Sequence, residues 1–214
     1  MLSRFDRALP FILFVAGWFA LIAQFYLIIA NRVASIGETI IRYFSFFTIL
    51  TNILVAICCT TILFQRSGKA AKFFLRSDTL TAIAVYITIV GLVYNIILRF
   101  LWNPKGLQLV VDELLHSVIP ALFVIFWFLS IGKQKQKLNW NSLPRWLIYP
   151  AAYLGFVLVR GAYSGFYPYP FINVGQLSYS KVLVNCAALL LFFSVISMLF
   201  IGVARCKQRS MSGR

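Results

Sequence analysis

The sequence predicts an all-α polytopic membrane bundle: six transmembrane helices, both termini cytoplasmic, in a single domain over residues 1–214. Three observations predict it. First, 61% of the residues are hydrophobic and only 12% are charged, against roughly 45–50% and about 25% in a soluble domain. A soluble fold of 214 residues lacks the interior to hide that surface, and a disordered chain requires low hydrophobicity. Second, six apolar runs approach the length of about 20 residues that a helix needs to cross a bilayer. They cover residues 9–30, 43–64, 80–101, 112–131, 146–166 and 181–204. Third, Lys and Arg fall in alternate connections. With a cytoplasmic N-terminus, Arg4, Arg7, Arg66, Lys69, Lys72, Arg76, Lys133, Lys135, Lys137, Arg145, Arg205, Lys207, Arg209 and Arg214 lie inside. Arg32, Arg42, Arg99, Lys105, Arg160 and Lys181 lie at the other face. This is the positive-inside bias. It accounts for the net charge of +15 through topology and anionic inner-leaflet lipid, so no nucleic-acid partner is expected. Membrane lipids are the expected partners, and a bacterial cytoplasmic membrane is the expected location.

The elements follow in order. The first run lies behind Arg4 and Arg7 and lacks a small-residue cleavage site, so it reads as an uncleaved helix. The second begins "YFSFFTILTNILVAI", which places Thr48, Thr51 and Asn52 on one helix face. The basic stretch "QRSGKAAKFFLRSD" reads as a solvated loop, with an amphipathic surface segment as the alternative. The third run ends "GLVYNIILRFLW", with Asn95 and Arg99 one turn apart. The fourth begins "DELLHSVIPALF": Asp112 and Glu113 read as a solvated helix start, His116 lies one turn deeper, and Pro120 kinks the helix. The fifth carries Arg160 and Tyr163 near its end. Gly161 and Gly165 form a GxxxG pattern that permits close helix approach. The following "FYPYPF" reads as an aromatic-belt turn or as a partly re-entrant cap. The sixth run begins "SKVLVNCAALL", with Asn185 about one turn inside.

Polar groups inside a membrane are expensive and therefore informative. Thr48 lies about 8 Å below Tyr43, and His116 roughly 6 Å below Asp112, at 1.5 Å per residue. Asn95, Arg99, Arg160, Tyr163 and Asn185 fall at the same outer level, while the cytoplasmic halves are almost purely apolar. The coincidence of depth predicts one polar pocket lined by Thr48, Thr51, Asn52, Asn95, Arg99, His116, Arg160, Tyr163 and Asn185. A threonine hydroxyl becomes a nucleophile when a base takes its proton and donors hold the oxyanion. His116 is the single conventional base, with Thr48 or Thr51 as nucleophile. Asn52, Asn95 and Asn185 are candidate oxyanion donors, and Arg99 and Arg160 candidate carboxylate binders. Each also has a structural reading. A threonine can bond its own helix, an arginine can snorkel, an asparagine can join helices, and the histidine can simply pack. Cys58, Cys59, Cys186 and Cys206 form no CxxC, and with one histidine no metal site, cofactor or structural disulfide is expected.

The order of six spans with "FFTILTN", "LLHSVIP" and "YPYPF" resembles the small bacterial six-span proteins related to the androgen-induced protein family. The resemblance covers most of the chain in topology and three short motifs in sequence. It implies an intramembrane threonine hydrolase of fatty acid esters of hydroxy fatty acids, with Thr48 as nucleophile and His116 as its histidine. Two other functions compete. A lipid-binding or structural subunit would not depend on Thr48 and His116 beyond stability. A small-anion transporter would place its site near the midplane between repeats, and the sequence shows no repeat.

Overall fold

In the computed structural model, residues 4–65, 68–134 and 136–212 are described, with side chains over 7–65, 68–134 and 136–211. Arg66, Lys135 and Arg214, and the side chain of Arg4, all counted in the charge argument, lie outside the described residues. The chain is all-helical, and six of its helices are long and apolar enough to cross a membrane. Helix α1 (Arg4–Ala30) crosses first. A short α2 (Ile36–Phe44) precedes α3 (Phe47–Phe64). After α4 (Lys69–Phe74), α5 (Ser77–Val93) continues through a π-helical turn (Tyr94–Leu98) and a 3₁₀ turn to Leu101. The fourth span is α6 (Leu107–Glu113), a second π-helical turn (Leu114–Val118) and α7 (Ile119–Ile131). Then come α8 (Ser142–Ser164) and α9 (Tyr179–Ser212). The six long helices place the start of α1 and the end of α9 at one end of the bundle, the terminus end. The connections 31–46, 102–106 and 165–178 lie at the far end.

The core is the apolar contact between central and flanking helices. Helix α3 lies against α1 and α5, and α5 also packs on α7 and α9. Gly17 of α1 permits close approach to α3: a Cβ there would stand 3.4 Å from the Ala56 side chain. Rings of Phe47, Tyr86, Tyr149, Tyr153 and Phe193 fill the space between α3, α5, α8 and α9. Pro150 inside α8 cannot donate to Trp146, and the Tyr86 hydroxyl donates to that carbonyl instead at 2.7 Å. With no water in the hydrocarbon, each such orphan needs a protein partner.

Four boundaries differ from the sequence reading. The second run is broken: Ser45 and Phe46 leave helical order, and α2 is a separate amphipathic helix with Thr39 and Tyr43 buried and Ile36, Ile41 and Phe44 exposed. Ser35 caps it by accepting from the Glu38 N–H. The fourth span starts at Leu107, behind Gly106 at φ +58, so Asp112 is inside the helix and not at its solvated start. The basic connection is not a loop throughout: it contains α4, with Ala71 buried and Phe73 exposed. Helix α9 runs to Ser212, 34 residues or about 50 Å, and Gln208 docks on the 136–138 connection through bonds to Gln136 O and from Leu138 N. The GxxxG pattern also serves a different end. Gly161 seats the ring of Tyr167, which a Cβ would overlap, and Gly165 caps α8 at φ +69.

Candidate functional site

The break before α3 creates the site's first wall. Helix N-termini leave unpaired N–H groups. Here Phe47 N–H donates to the Tyr153 hydroxyl at 3.2 Å, and Thr48 N–H to the Tyr169 hydroxyl at 3.4 Å. Tyr153 donates onward to Ser45 O at 2.8 Å. Thr48 is therefore in the first turn of α3, where the helix dipole favours negative charge.

The second wall is built from the two π-helical turns, which pack on each other. Such turns interrupt the α ladder and recur at functional sites. In the fourth span, Ile119 N–H bonds to Leu114 O, and Pro120 has no N–H to give. The carbonyls of Leu115 and His116 are left for side chains of other spans. Asn52 Nδ2 donates to Leu115 O at 3.2 Å, and Asn95 Nδ2 to His116 O at 3.2 Å. Gly91 keeps this contact close, since a Cβ there would lie 3.3 Å from His116 O.

These turns orient the histidine. Nδ1 of His116 lies 2.9 Å from Asp112 O and 3.2 Å from Asp112 Oδ1. Both neighbours are acceptors, so the proton of the neutral ring is assigned to Nδ1, and Nε2 carries the lone pair. Asp112 is 2% exposed and also accepts from the Tyr94 hydroxyl. The Tyr94 ring stacks on the imidazole with centroids 4.0 Å apart and planes at 15°. Tyr94, Asp112 and His116 thus form one cluster across two spans.

Thr48 and His116 line one cavity of ≈270 Å³ at the far end, together with Gln24, Tyr94, Asp112 and Tyr169. Gln108 Nε2 donates to Gln24 Oε1 at 2.9 Å across its wall. Pro168, Tyr169 and Pro170 also line it, and Tyr169 is stacked on Phe171. No hydrogen bond joins the Thr48 and His116 side chains among the described residues.

The remaining expected residues do not line this cavity. Asn52 and Asn95 lie behind its wall with their amide N–H groups engaged as above, so they are not free oxyanion donors. Thr51 is fully buried behind it. Arg99 pairs with Glu113 and donates to Asn95 Oδ1 at 2.5 Å. Arg160 pairs with Glu38 at 2.7 Å, and both Arg160 and Arg42 lie over the Phe166 ring. Hydrogen bonding from Arg42, with Arg160 adding to it, holds the Glu38 carboxyl below its usual range. Tyr163 is 90% exposed. Asn185 Nδ2 donates to Phe171 O at 2.7 Å and faces a groove between α5 and α9. Depth was common to all these groups, but azimuth was not.

Sequence reasoning missed Gln24, Tyr94, Asp112 and Tyr169. Gln24 is a polar amide inside the first span, the same kind of signal that singles out Asn95. Asp112 precedes His116 by four residues, the spacing that puts both on one helix face. Tyr94 and Tyr169 carry no local signal that separates them from other interfacial tyrosines. Comparison of the chain with protein-family models, with curated proteins and with solved structures finds no match.

Proposed function

We propose that this multi-pass membrane protein is an intramembrane hydrolase of lipid carboxylic esters, with Thr48 as nucleophile and His116 as general base. The observation that carries the reading is the Asp112-held imidazole on the wall that Thr48 shares. A base fixed at Nδ1 by a carboxylate presents Nε2 for proton transfer, the logic of nucleophile–histidine–acid constellations. The implied resemblance to the androgen-induced protein family names the same threonine and histidine.

The reaction runs in two halves. Thr48 Oγ1 attacks the ester carbonyl carbon while its proton passes to His116 Nε2. The tetrahedral oxyanion forms beside the N-terminus of α3 and the Tyr169 hydroxyl, both suited to negative charge. The carbon–oxygen bond to the leaving alcohol then breaks, and His116 returns the proton to that alcohol. Water attacks the acyl-Thr48 carbonyl, gives a proton to His116, and the carboxylic acid leaves as Thr48 is reprotonated. The Thr48–His116 contact need not be closed beforehand, since catalytic hydrogen bonds commonly tighten with substrate.

Hydrolysis of a long-chain fatty acyl ester by purified protein in micelles tests this. Thr48→Ala and His116→Ala are expected to reduce turnover to background, and Thr48→Ser to retain it. Equal turnover in wild type and both alanine variants, with all three folded, would contradict the proposal. It would leave a lipid-binding cavity without turnover as the better reading.

A further inference from the structure

We infer that a single acyl chain enters this site sideways from the membrane, through a gap between α5 and α9, and lies in an apolar slot behind Thr48. The inference rests on the ester-hydrolase reading for what the chain carries, but it requires no turnover. Three spaces in the bundle share walls. The His116 cavity and an apolar cavity of ≈60 Å³ have Thr48, Tyr94, Leu98 and Tyr169 in common. That apolar cavity and an open groove of ≈350 Å³ have Val93, Phe171 and Leu189 in common. The groove lies between α5 and α9 and is bordered by Ile96 and Ile97, both exposed on the lipid side.

The chemistry along the route changes once. The His116 cavity holds the ionisable groups and the amides of Gln24 and Gln108. Beyond Thr48 and the Tyr94 and Tyr169 rings, the lining is aliphatic and aromatic up to Asn185 at the groove. An ion or a hydrated solute would lose its water there without a replacement. A hydrocarbon chain arriving from the bilayer exchanges one apolar surrounding for another and loses no hydration. The occupant that matches polar head space, apolar slot and opening at membrane depth is one unbranched acyl chain with its carbonyl beside Thr48. Asn185 acquires a role in this route. Its bond to Phe171 O pins the 3₁₀ turn Pro170–Ile172 against α9 and so sets the position of Phe171, the ring common to slot and groove.

Photolabelling tests the route. Purified protein in nanodiscs is irradiated with palmitic acid carrying a mid-chain diazirine, or with phosphatidylcholine bearing the same chain, and crosslinks are mapped by mass spectrometry. The expected result, in at least one of these arms, is labelling concentrated on segments 92–98 and 185–193 and displaced by excess unlabelled palmitate or ester. Which arm labels identifies a free acid or a phospholipid as the source of the chain. Leu189→Trp fills the shared wall, and Ala188→Trp blocks the mouth from an exposed position; each should lose the displaceable labelling. Labelling in both arms that is spread over the lipid-facing sides of α1 and α9 and is not displaced would overturn the inference. So would displaceable labelling unchanged in both folded tryptophan variants. Crosslinking needs no turnover, so ester hydrolysis is assayed separately on the same wild-type protein: displaceable labelling at these segments without hydrolysis would fail the hydrolase reading alone, and hydrolysis without that labelling would fail the route alone.

Discussion

Asp112 presents two acceptors to one ring nitrogen of His116, its main-chain carbonyl and its carboxylate. This fixes which nitrogen is basic, and the carboxylate stabilises the imidazolium when the proton arrives. Asp112→Asn keeps the shape but removes the charge. Esterase turnover is expected to fall by on the order of 10²-fold, less than the ~10⁴-fold typical when a carboxylate alone orients the base, because the main-chain carbonyl still accepts from Nδ1. Unchanged turnover in Asp112→Asn would remove Asp112 from the account. Asp112 was open to a sequence reading through its spacing to His116, but a charged pair beside an apolar run looks like a solvated boundary. Its burial depends on the helix beginning five residues earlier at Leu107, which Gly106 at φ +58 makes possible.

At the scale of elements, Pro120 and the π-helical turn free two carbonyls, and asparagines from two other spans take them. Asn95→Leu should leave His116 O without a donor and cost about 1–3 kcal/mol, read as a lowered unfolding midpoint in micelles. In a Pro120→Ala background the new N–H offers a local partner. The Asn95→Leu cost should then shrink, a coupling of about 0.5–3 kcal/mol between the sites. Strict additivity would contradict this arrangement. The spans themselves were legible because apolar length is a local property. The separation of α2 from α3 was not, because the groups that stabilise the break at Ser45–Phe47 come from Tyr153, more than a hundred residues onward in the chain. The same limit applies to the polar residues: depth follows from counting along a helix, whereas facing follows from packing. Thr48 and His116 meet at one cavity, and Tyr163 faces away from it.

The whole molecule has two unlike ends. At the terminus end, α9 extends past the hydrocarbon and is bonded to the 136–138 connection. At the far end, Glu38 joins α2 to α8 through Arg160 and to Arg42 within α2, and both guanidinium groups lie over the Phe166 ring. The Glu38 pKa is lowered in the folded state. Its stabilisation is therefore complete above the ordinary carboxylate range and is lost as pH falls through the lowered value. The wild-type unfolding midpoint should drop across that acidic window. Glu38→Gln should be less stable at neutral pH by at most about 1 kcal/mol and lack that part of the acid dependence. An identical acid dependence in both proteins would show that Glu38 is not the group that titrates.

In the proposed reaction His116 activates Thr48. The most direct measurement is reaction of the purified, folded protein with a fluorophosphonate, followed by intact mass and peptide mapping. One adduct is expected, on Thr48, absent in Thr48→Ala and His116→Ala and retained in Thr51→Ala. A wild-type protein that takes no label, or takes it on Thr51, would contradict that activation.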